Sequence, residues 1–358
     1  MMNIEIKIDL WNYLKTADKP ILMYGMGNGA DKILKVCESY GIEIADFFAS
    51  DGFVRGHSFH GKVVLSYSQA KEKYRDFIVL LSFASSLPDV IENIKKISEE
   101  FELYAPDVPV FGDNLFNMEF LEEHREDFEK AYYLLADERS KSVFENIINY
   151  KLSGKINYLF MSDSDEKEVM AELVKPQNIK RYADLGAYNG DTVRALMSYT
   201  DTLEEVIAFE PDRRNFRKLS EWAKAVNIPK ISAYKLGAWS HKDILFFDAS
   251  GNRNANLKAE SGAKLTEADV DSLDNVAKDF APDYIKYDVE GSEAEALLGS
   301  KNIIAKYSPK LLISIYHRSE DLYMLPLLVN ELNKDYKLYL RKLPYIPAWD
   351  LNLYALKI

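Results

Sequence analysis

The stretch Lys180-Arg-Tyr-Ala-Asp-Leu-Gly-Ala-Tyr-Asn-Gly-Asp-Thr192 constrains this chain more than any other. It predicts a short strand ending at Asp184, then a glycine turn, then the first turn of a helix. Gly186 and Gly190 carry no Cβ, so the backbone can turn sharply there and pass close to a ligand. The helix behind the turn aims free N–H groups at whatever occupies it. Val206-Ile-Ala-Phe-Glu210 follows as an apolar run closing on a carboxylate. That is the spacing at which the next strand presents an acid to a ribose. The pair reads as a nucleoside site on an open α/β sheet.

With 358 residues the chain is long enough for two domains. Its formal net charge of −12 argues against binding the phosphate backbone of nucleic acid, which needs a basic surface. One cysteine, Cys37, rules out an intrachain disulfide and a thiolate-rich metal site, and its apolar helical surroundings predict a packed thiol. The first residues lack an apolar h-region, and no apolar run approaches membrane-spanning length. A cytoplasmic protein without a membrane span is expected.

In chain order, residues 1–18 predict a leading helix. Pro20–Tyr24 predicts a buried strand that runs into Gly25-Met-Gly-Asn-Gly-Ala30 and a helix to Tyr40, the context that gives a G-x-G-x-x-A string meaning. Asp51 falls near the ribose position of a dinucleotide fold. Strand and helix alternate to Val108–Phe111, which closes a Rossmann-like α/β domain over 1–115. Residues 116–174 read as a charged helical connector with an apolar stripe. The acidic run 162–168 lacks the glycine and final glutamate of a calcium loop. His57 and His60 lack further ligands for a metal. Residues 175–358 form the second domain, a parallel sheet with strands near 181–184, 206–210, 231–235, 284–288 and 310–317. An antiparallel hairpin, 336–341 with 351–358, ends it. Leu245–Phe247 is an extra extended segment, followed by a polar loop carrying Asn252, Asn254 and Asn256.

Four strands of the second domain thus end near Asp184, Glu210, Asp288 and His317, and ligands of open α/β sheets bind outside the carboxyl ends of strands. Tyr188 sits mid-turn, where a pyrophosphate would need close backbone approach, so the turn favours an amino-acid-bearing nucleoside over a dinucleotide. Asp184–Thr192, Phe209-Glu-Pro211, Leu236-Gly-Ala-Trp-Ser240, Tyr284–Glu293 and Ser314-Ile-Tyr-His317 together resemble the FkbM-type methyltransferases over roughly residues 175–345. The resemblance implies a Rossmann-like methyltransferase sheet and S-adenosylmethionine as cofactor. It implies that Asp184, Gly186 and Gly190 frame the methionine moiety, with Tyr188 and Thr192 in the same block. It places Glu210 on the ribose, Pro211 by the adenine, and Asp288 near the transferred methyl group. Glu290 and Glu293 belong to the same block, where they either bind substrate in the acceptor pocket or fix its loop.

Methyl transfer to a hydroxyl needs alignment and a nearby base. His317 and Asp288 are the catalytic candidates, and Arg318 is placed to meet an anionic group of the substrate. Trp239 and Tyr316 either flank the acceptor or pack. The expected partner is a small-molecule or glycan acceptor, a sugar in this reading; no metal is expected, and the oligomeric state stays open, a homo-oligomer included. Two rivals stand beside this reading. One is a nucleotide-sugar oxidoreductase or epimerase holding NAD at the Gly25 turn, with Tyr67 and Lys71 as its catalytic pair. The other is a non-catalytic scaffold.

Overall fold

The computed structural model describes residues 2–54, 56–248 and 265–357. The first half builds on five parallel strands, β1 (Ile21–Tyr24), β2 (Asp46–Ala49), β5 (Leu65–Ser66), β6 (Ile78–Leu81) and β7 (Glu102–Tyr104), with a short hairpin, β3 (Ser58–Phe59) and β4 (Lys62–Val63), beside them. The order β5-β2-β1-β6-β7 reverses between β1 and β6. Helices α1 (Leu10–Leu14), α2 (Asn28–Tyr40), α3 (Tyr67–Tyr74) and α4 (Pro88–Glu100) complete this half. Ser66 and Gln69 form a reciprocal capping box at α3, and Gly41 ends α2 in the left-handed conformation, where a Cβ is disfavoured.

Two sequence expectations change here. The leading helix spans only Leu10–Leu14. The strand that closes the first sheet is β7, while Val108–Phe111 is irregular. Pro106 and Pro109 lack the N–H that a ladder requires, which releases this segment toward the second half.

Helices α5 (Met118–Glu123), α6 (Arg125–Leu134), α7 (Glu138–Ser153), α8 (Asn157–Ser162) and α9 (Glu166–Val169) lead to the second sheet. Its strands are β8 (Arg181–Leu185), β9 (Glu205–Phe209), β10 (Lys230–Tyr234), β14 (Tyr284–Tyr287), β15 (Lys310–Ser314), β16 (Tyr336–Lys342) and β17 (Leu351–Lys357), in the order β10-β9-β8-β14-β15-β17-β16. All pair in parallel except β17, which is antiparallel to both neighbours. The expected Rossmann-like sheet with its antiparallel C-terminal pair is therefore present. Helices α10 (Asp191–Met197), α11 (Arg213–Ala225), α12 (Leu273–Val276), α13 (Glu293–Leu298), α14 (Lys301–Tyr307) and α15 (Asp321–Leu332) intervene.

A third, small sheet joins β11 (Gly237–Ala238), β13 (Leu265–Asp271) and β12 (Asp243–Asp248). Strand β13 escapes a sequence reading because Leu265-Thr-Glu-Ala-Asp-Val-Asp is too acidic to signal a strand. Asn252, Asn254 and Asn256 lie outside the described residues. One contiguous apolar core runs through both large sheets and the connector, including Tyr24, Val79, Phe144, Ile285 and Leu353.

Candidate active site

The second sheet reverses direction between β8 and β14, and the glycine turn after β8 opens onto that point. Gly186 N and Ala187 N both donate to Phe209 O, at 3.0 and 2.9 Å, so the turn is tied to β9. Gly186 adopts φ +90°, and a Cβ there would stand 1.9 Å from Asp288 O. Only glycine lets the β8 turn and the β14 end approach this closely. Gly190 is held for a different reason. A Cβ on it would meet the Trp222 ring at 2.5 Å.

A cavity of about 550 Å³ occupies the crevice. Gly186, Tyr188, Glu210, Pro211, Asp288 and His317 all line it. Tyr188 and Glu290, both lining the cavity, sit at positive φ (+47° and +50°), a conformation that costs a non-glycine residue about 1 kcal/mol or more. Such strain persists where surrounding structure over-determines it, and it clusters at ligand sites.

Glu210 follows β9 directly. Its Oε1 accepts Asp212 N–H at 2.8 Å. Burial pushes its carboxyl up to about 7 despite backbone N–H groups from Asp212 and Tyr188 that favour the anion. It is an acid poised for further hydrogen-bond donors.

Asp288 follows β14. Lys286 Nζ stands 3.3 Å from its Oδ2, and Tyr316 Oη donates to Oδ1 at 3.4 Å. Burial opposes its charge, but Lys286 and His317 outweigh burial and hold it below the usual carboxylate range. His317 is buried between two acids. Nδ1 lies 3.0 Å from Glu293 Oε1, off the axis of a good hydrogen bond, and Nε2 lies 3.7 Å from Asp288 Oδ1. Burial pulls the imidazole down, yet the Glu293 and Asp288 charges prevail and raise its pKa.

The remaining expected site residues stand further back. Asp184 is fully buried, accepts the Thr192 hydroxyl, and has Lys286 Nζ at 3.7 Å. It braces the start of α10 behind the turn. Thr192 lines a neighbouring cavity of about 360 Å³ that shares Asp288, Tyr316 and Trp349 with the main cleft. Glu293 is buried and accepts Val289 N and Gly291 N at 2.9 and 3.3 Å, so it folds the loop beneath His317. Arg318 Nε donates to Gly291 O at 2.8 Å and grips the same loop. Neither Glu293 nor Arg318 lines the cleft among the described residues.

Asp288, Glu293 and His317 bring one potential metal-ligand atom each within 4.8 Å of one another. The nearest carboxylate differs for the two ring nitrogens, an arrangement that suits a charge-paired imidazole better than one shared ion.

Sequence reasoning missed three walls. Val110 and Phe111 reach in from the first half, with Phe111 N donating to His317 O at 3.0 Å. Trp349 arrives on the loop between β16 and β17. The prolines at 106 and 109 were the available signal for the first two. In the first half, two residues the oxidoreductase reading needs, Lys71 of its catalytic pair and Asp51 at the ribose position, are otherwise engaged. Lys71 is ion-paired with Glu100, and both Asp51 carboxylate oxygens accept from Ser68.

Comparison with known proteins decides the class. Residues 184–346 match the family described as the methyltransferase FkbM domain. This part of the chain is similar to the FkbM methyltransferase domain. A solved structure of methyltransferase FkbM from Methylobacillus flagellatus KT is similar over 94% of this chain and 90% of that one, with TM-score 0.72 and 21% identity. That likeness extends the shared fold beyond the FkbM domain to the first sheet. A likeness of smaller extent links the chain to an rRNA methylase from Streptococcus thermophilus (14% identity, 54% of this chain, 93% of that chain, TM-score 0.35). Another links it to Aeropyrum pernix fibrillarin in complex with S-adenosyl-L-methionine (12% identity, 49% and 66%, TM-score 0.31). Both fall too low to carry an argument. No curated protein sequence matches significantly.

Proposed function

We propose that the chain transfers a methyl group from S-adenosylmethionine to a hydroxyl, on a sugar or glycan intermediate. The observation that carries this reading is the meeting of the Gly186 turn and Glu210 with Asp288 and His317 in one cleft. The residues fit the cofactor. Glu210 is a desolvated acceptor in the cleft wall, suited to paired ribose hydroxyls, and hydrogen bonds to a charged acceptor contribute roughly 1.5–3 kcal/mol each. Gly186 lets the end of β14 close against the turn, which brings Asp288 into the same cleft as the turn and Glu210. The FkbM domain supplies the transferase class.

When bound, S-adenosylmethionine supplies a methyl on a cationic sulfur. Glu210 would hold its ribose, with Pro211 beside the adenine. The protein's own task is to orient an acceptor hydroxyl and remove its proton. His317 Nε2 is the base in this reading. Glu293 fixes the ring from the Nδ1 side, and Asp288 stabilises the imidazolium formed. Tyr316 and Trp349, with ring centroids 6.4 Å apart, offer aromatic faces beside the same acid. The sugar assignment rests on these faces and on polar groups such as Asp288; an aromatic wall with hydroxyl-binding carboxylates suits a polyol ring.

Calorimetry with S-adenosylmethionine and with NAD tests the proposal. The expected result is saturable binding of S-adenosylmethionine only, abolished in Gly186→Val. Binding of NAD alone would return the oxidoreductase reading. Binding of neither would favour the scaffold.

A further inference from the structure

The first sheet also has a point where its strand order reverses, between β1 and β6. A cavity of about 300 Å³ lies there, outside the strand ends where α/β sheets take ligands. It is not isolated. Val110 and Trp349 line both this cavity and the methyltransferase cleft. Antiparallel pairing of Ser85 with Ile346, through hydrogen bonds of 2.8 and 3.0 Å, fastens the Trp349 loop to the first half. The two cavities therefore share a wall built from both halves.

Their chemistry differs. Asp191, Glu210, Asp212, Asp288 and Glu290 line the cleft. Among the described residues no carboxylate lines the first-sheet cavity, in a chain with 57 acidic residues. Its one charged wall residue among those described is Lys32. The ammonium donates to Pro109 O at 3.2 Å and Val110 O at 2.8 Å, both neutral, and makes no ion pair among the described residues. Two carbonyls leave an ammonium one further N–H. A cation without a counter-charge in a partly desolvated wall favours an anion. Partly buried Phe83 and Trp349 add aromatic faces for a planar ring.

We propose that this cavity holds the nucleoside-phosphate end of the methyl acceptor, making the acceptor a nucleotide-linked sugar. Its phosphate meets Lys32, its base lies among the Phe83 and Trp349 rings, and its sugar passes Trp349 into the cleft beside Asp288. The inference rests on the methyltransferase reading above and names the substrate class of that site. It gives the first half a function: recognition of the acceptor's far end.

The test is calorimetry on the full chain with uridine, cytidine and guanosine diphosphate, with and without saturating S-adenosylmethionine. Adenosine diphosphate is left out because adenine suits the cofactor cleft. The expected result is saturable binding of at least one of the three at sub-millimolar concentration, without competition from S-adenosylmethionine. Lys32→Gln keeps donors for the two carbonyls but loses the charge, and should weaken that binding at least tenfold. Lys32→Arg should restore most of it, and both variants should bind S-adenosylmethionine as the parent does. Absence of binding by all three, competition with S-adenosylmethionine, or unchanged affinity in Lys32→Gln overturns the inference. Failure of the parent chain to bind S-adenosylmethionine strikes the cofactor reading instead, and the same titrations separate the two.

Discussion

At the scale of residues, the site is a set of acids whose surroundings push them apart. Glu210 is raised to about 7 by burial, while Asp288, beside Lys286, is held ionised. Ribose hydroxyls would donate to the Glu210 carboxylate and lower its pKa on binding. Binding therefore releases a proton below about pH 7. Affinity for S-adenosylmethionine should weaken as pH falls, approaching ~10-fold per unit below that pH, and stay level above it. Calorimetry from pH 5.5 to 8.5 reads this directly, and Glu210→Gln should be weaker and flat. The same variant tests the apo protein. A raised carboxyl opposes folding increasingly as pH climbs from its unfolded value toward 7, so Glu210→Gln should stabilise the free chain at pH 8, by about 1–3 kcal/mol in urea unfolding. A loss of stability would show that the Glu210 anion is satisfied without ligand. His317 gives a separate profile. Its raised pKa keeps it protonated further toward neutrality, so turnover should rise with pH through that ionisation. His317→Ala should lose at least ~100-fold in kcat with cofactor affinity retained; near-normal turnover would remove it as the base. The convergence of Glu210, Asp288 and His317 on one cleft was legible because strand ends fix where such residues lie. The supporting roles of Asp184 and Glu293 were not, because burial behind a turn leaves no local mark in a sequence.

At the scale of elements, the connector is bound to the second sheet by buried charge. Residues 135–164 run against β16, with Ala136 N donating to Leu338 O at 2.8 Å and Ser164 N to Lys342 O at 2.7 Å. Arg341, almost wholly buried, reaches back to the start of α7. Its Nη2 lies 2.6 Å from Asp137 Oδ2, and its Nη1 donates to Ser140 Oγ at 2.9 Å. Asp137 also caps α7 through Ser140 N. Arg341→Met keeps much of the apolar stem but leaves the acid without its partner. Because Asp137 is about one-third exposed, water replaces part of the loss, and we expect a destabilisation of about 2 kcal/mol in urea unfolding. A change below ~0.5 kcal/mol would mean the pair is a passive surface contact. The helical stripe of the connector could be read from apolar spacing, but not this clamp. Arg341 and Asp137 lie far apart in sequence, and in β16 alternation sets Arg341 on the face of Lys337 and Tyr339, opposite Leu338 and Leu340, where a charged residue is expected to reach solvent.

At the scale of the whole molecule, the two α/β units were foreseen as separate domains joined by a connector, since each has its own glycine turn and strand–helix alternation. Composition cannot show how such units share a core, because the contacts depend on loops that carry no periodicity. One apolar core includes Tyr24 and Val79 of the first sheet, Phe128 and Phe144 of the connector, and Ile285 and Leu353 of the second. Backbone links reinforce it at Phe111–His317, Ser85–Ile346 and Ala105–Gly154. Burial of this kind removes apolar surface from water only while both halves stay in place. Opening either half would expose the core of the other. The expectation is a single cooperative transition, with calorimetric and van't Hoff enthalpies equal and with fluorescence and far-ultraviolet circular dichroism melting together. Saturating S-adenosylmethionine should move that one transition upward as a unit, by ~2.7 kcal/mol at a hundredfold excess over Kd. Two resolved transitions, with only the later one responding to the ligand, would show independent domains and would remove the physical basis for a cavity wall shared between them.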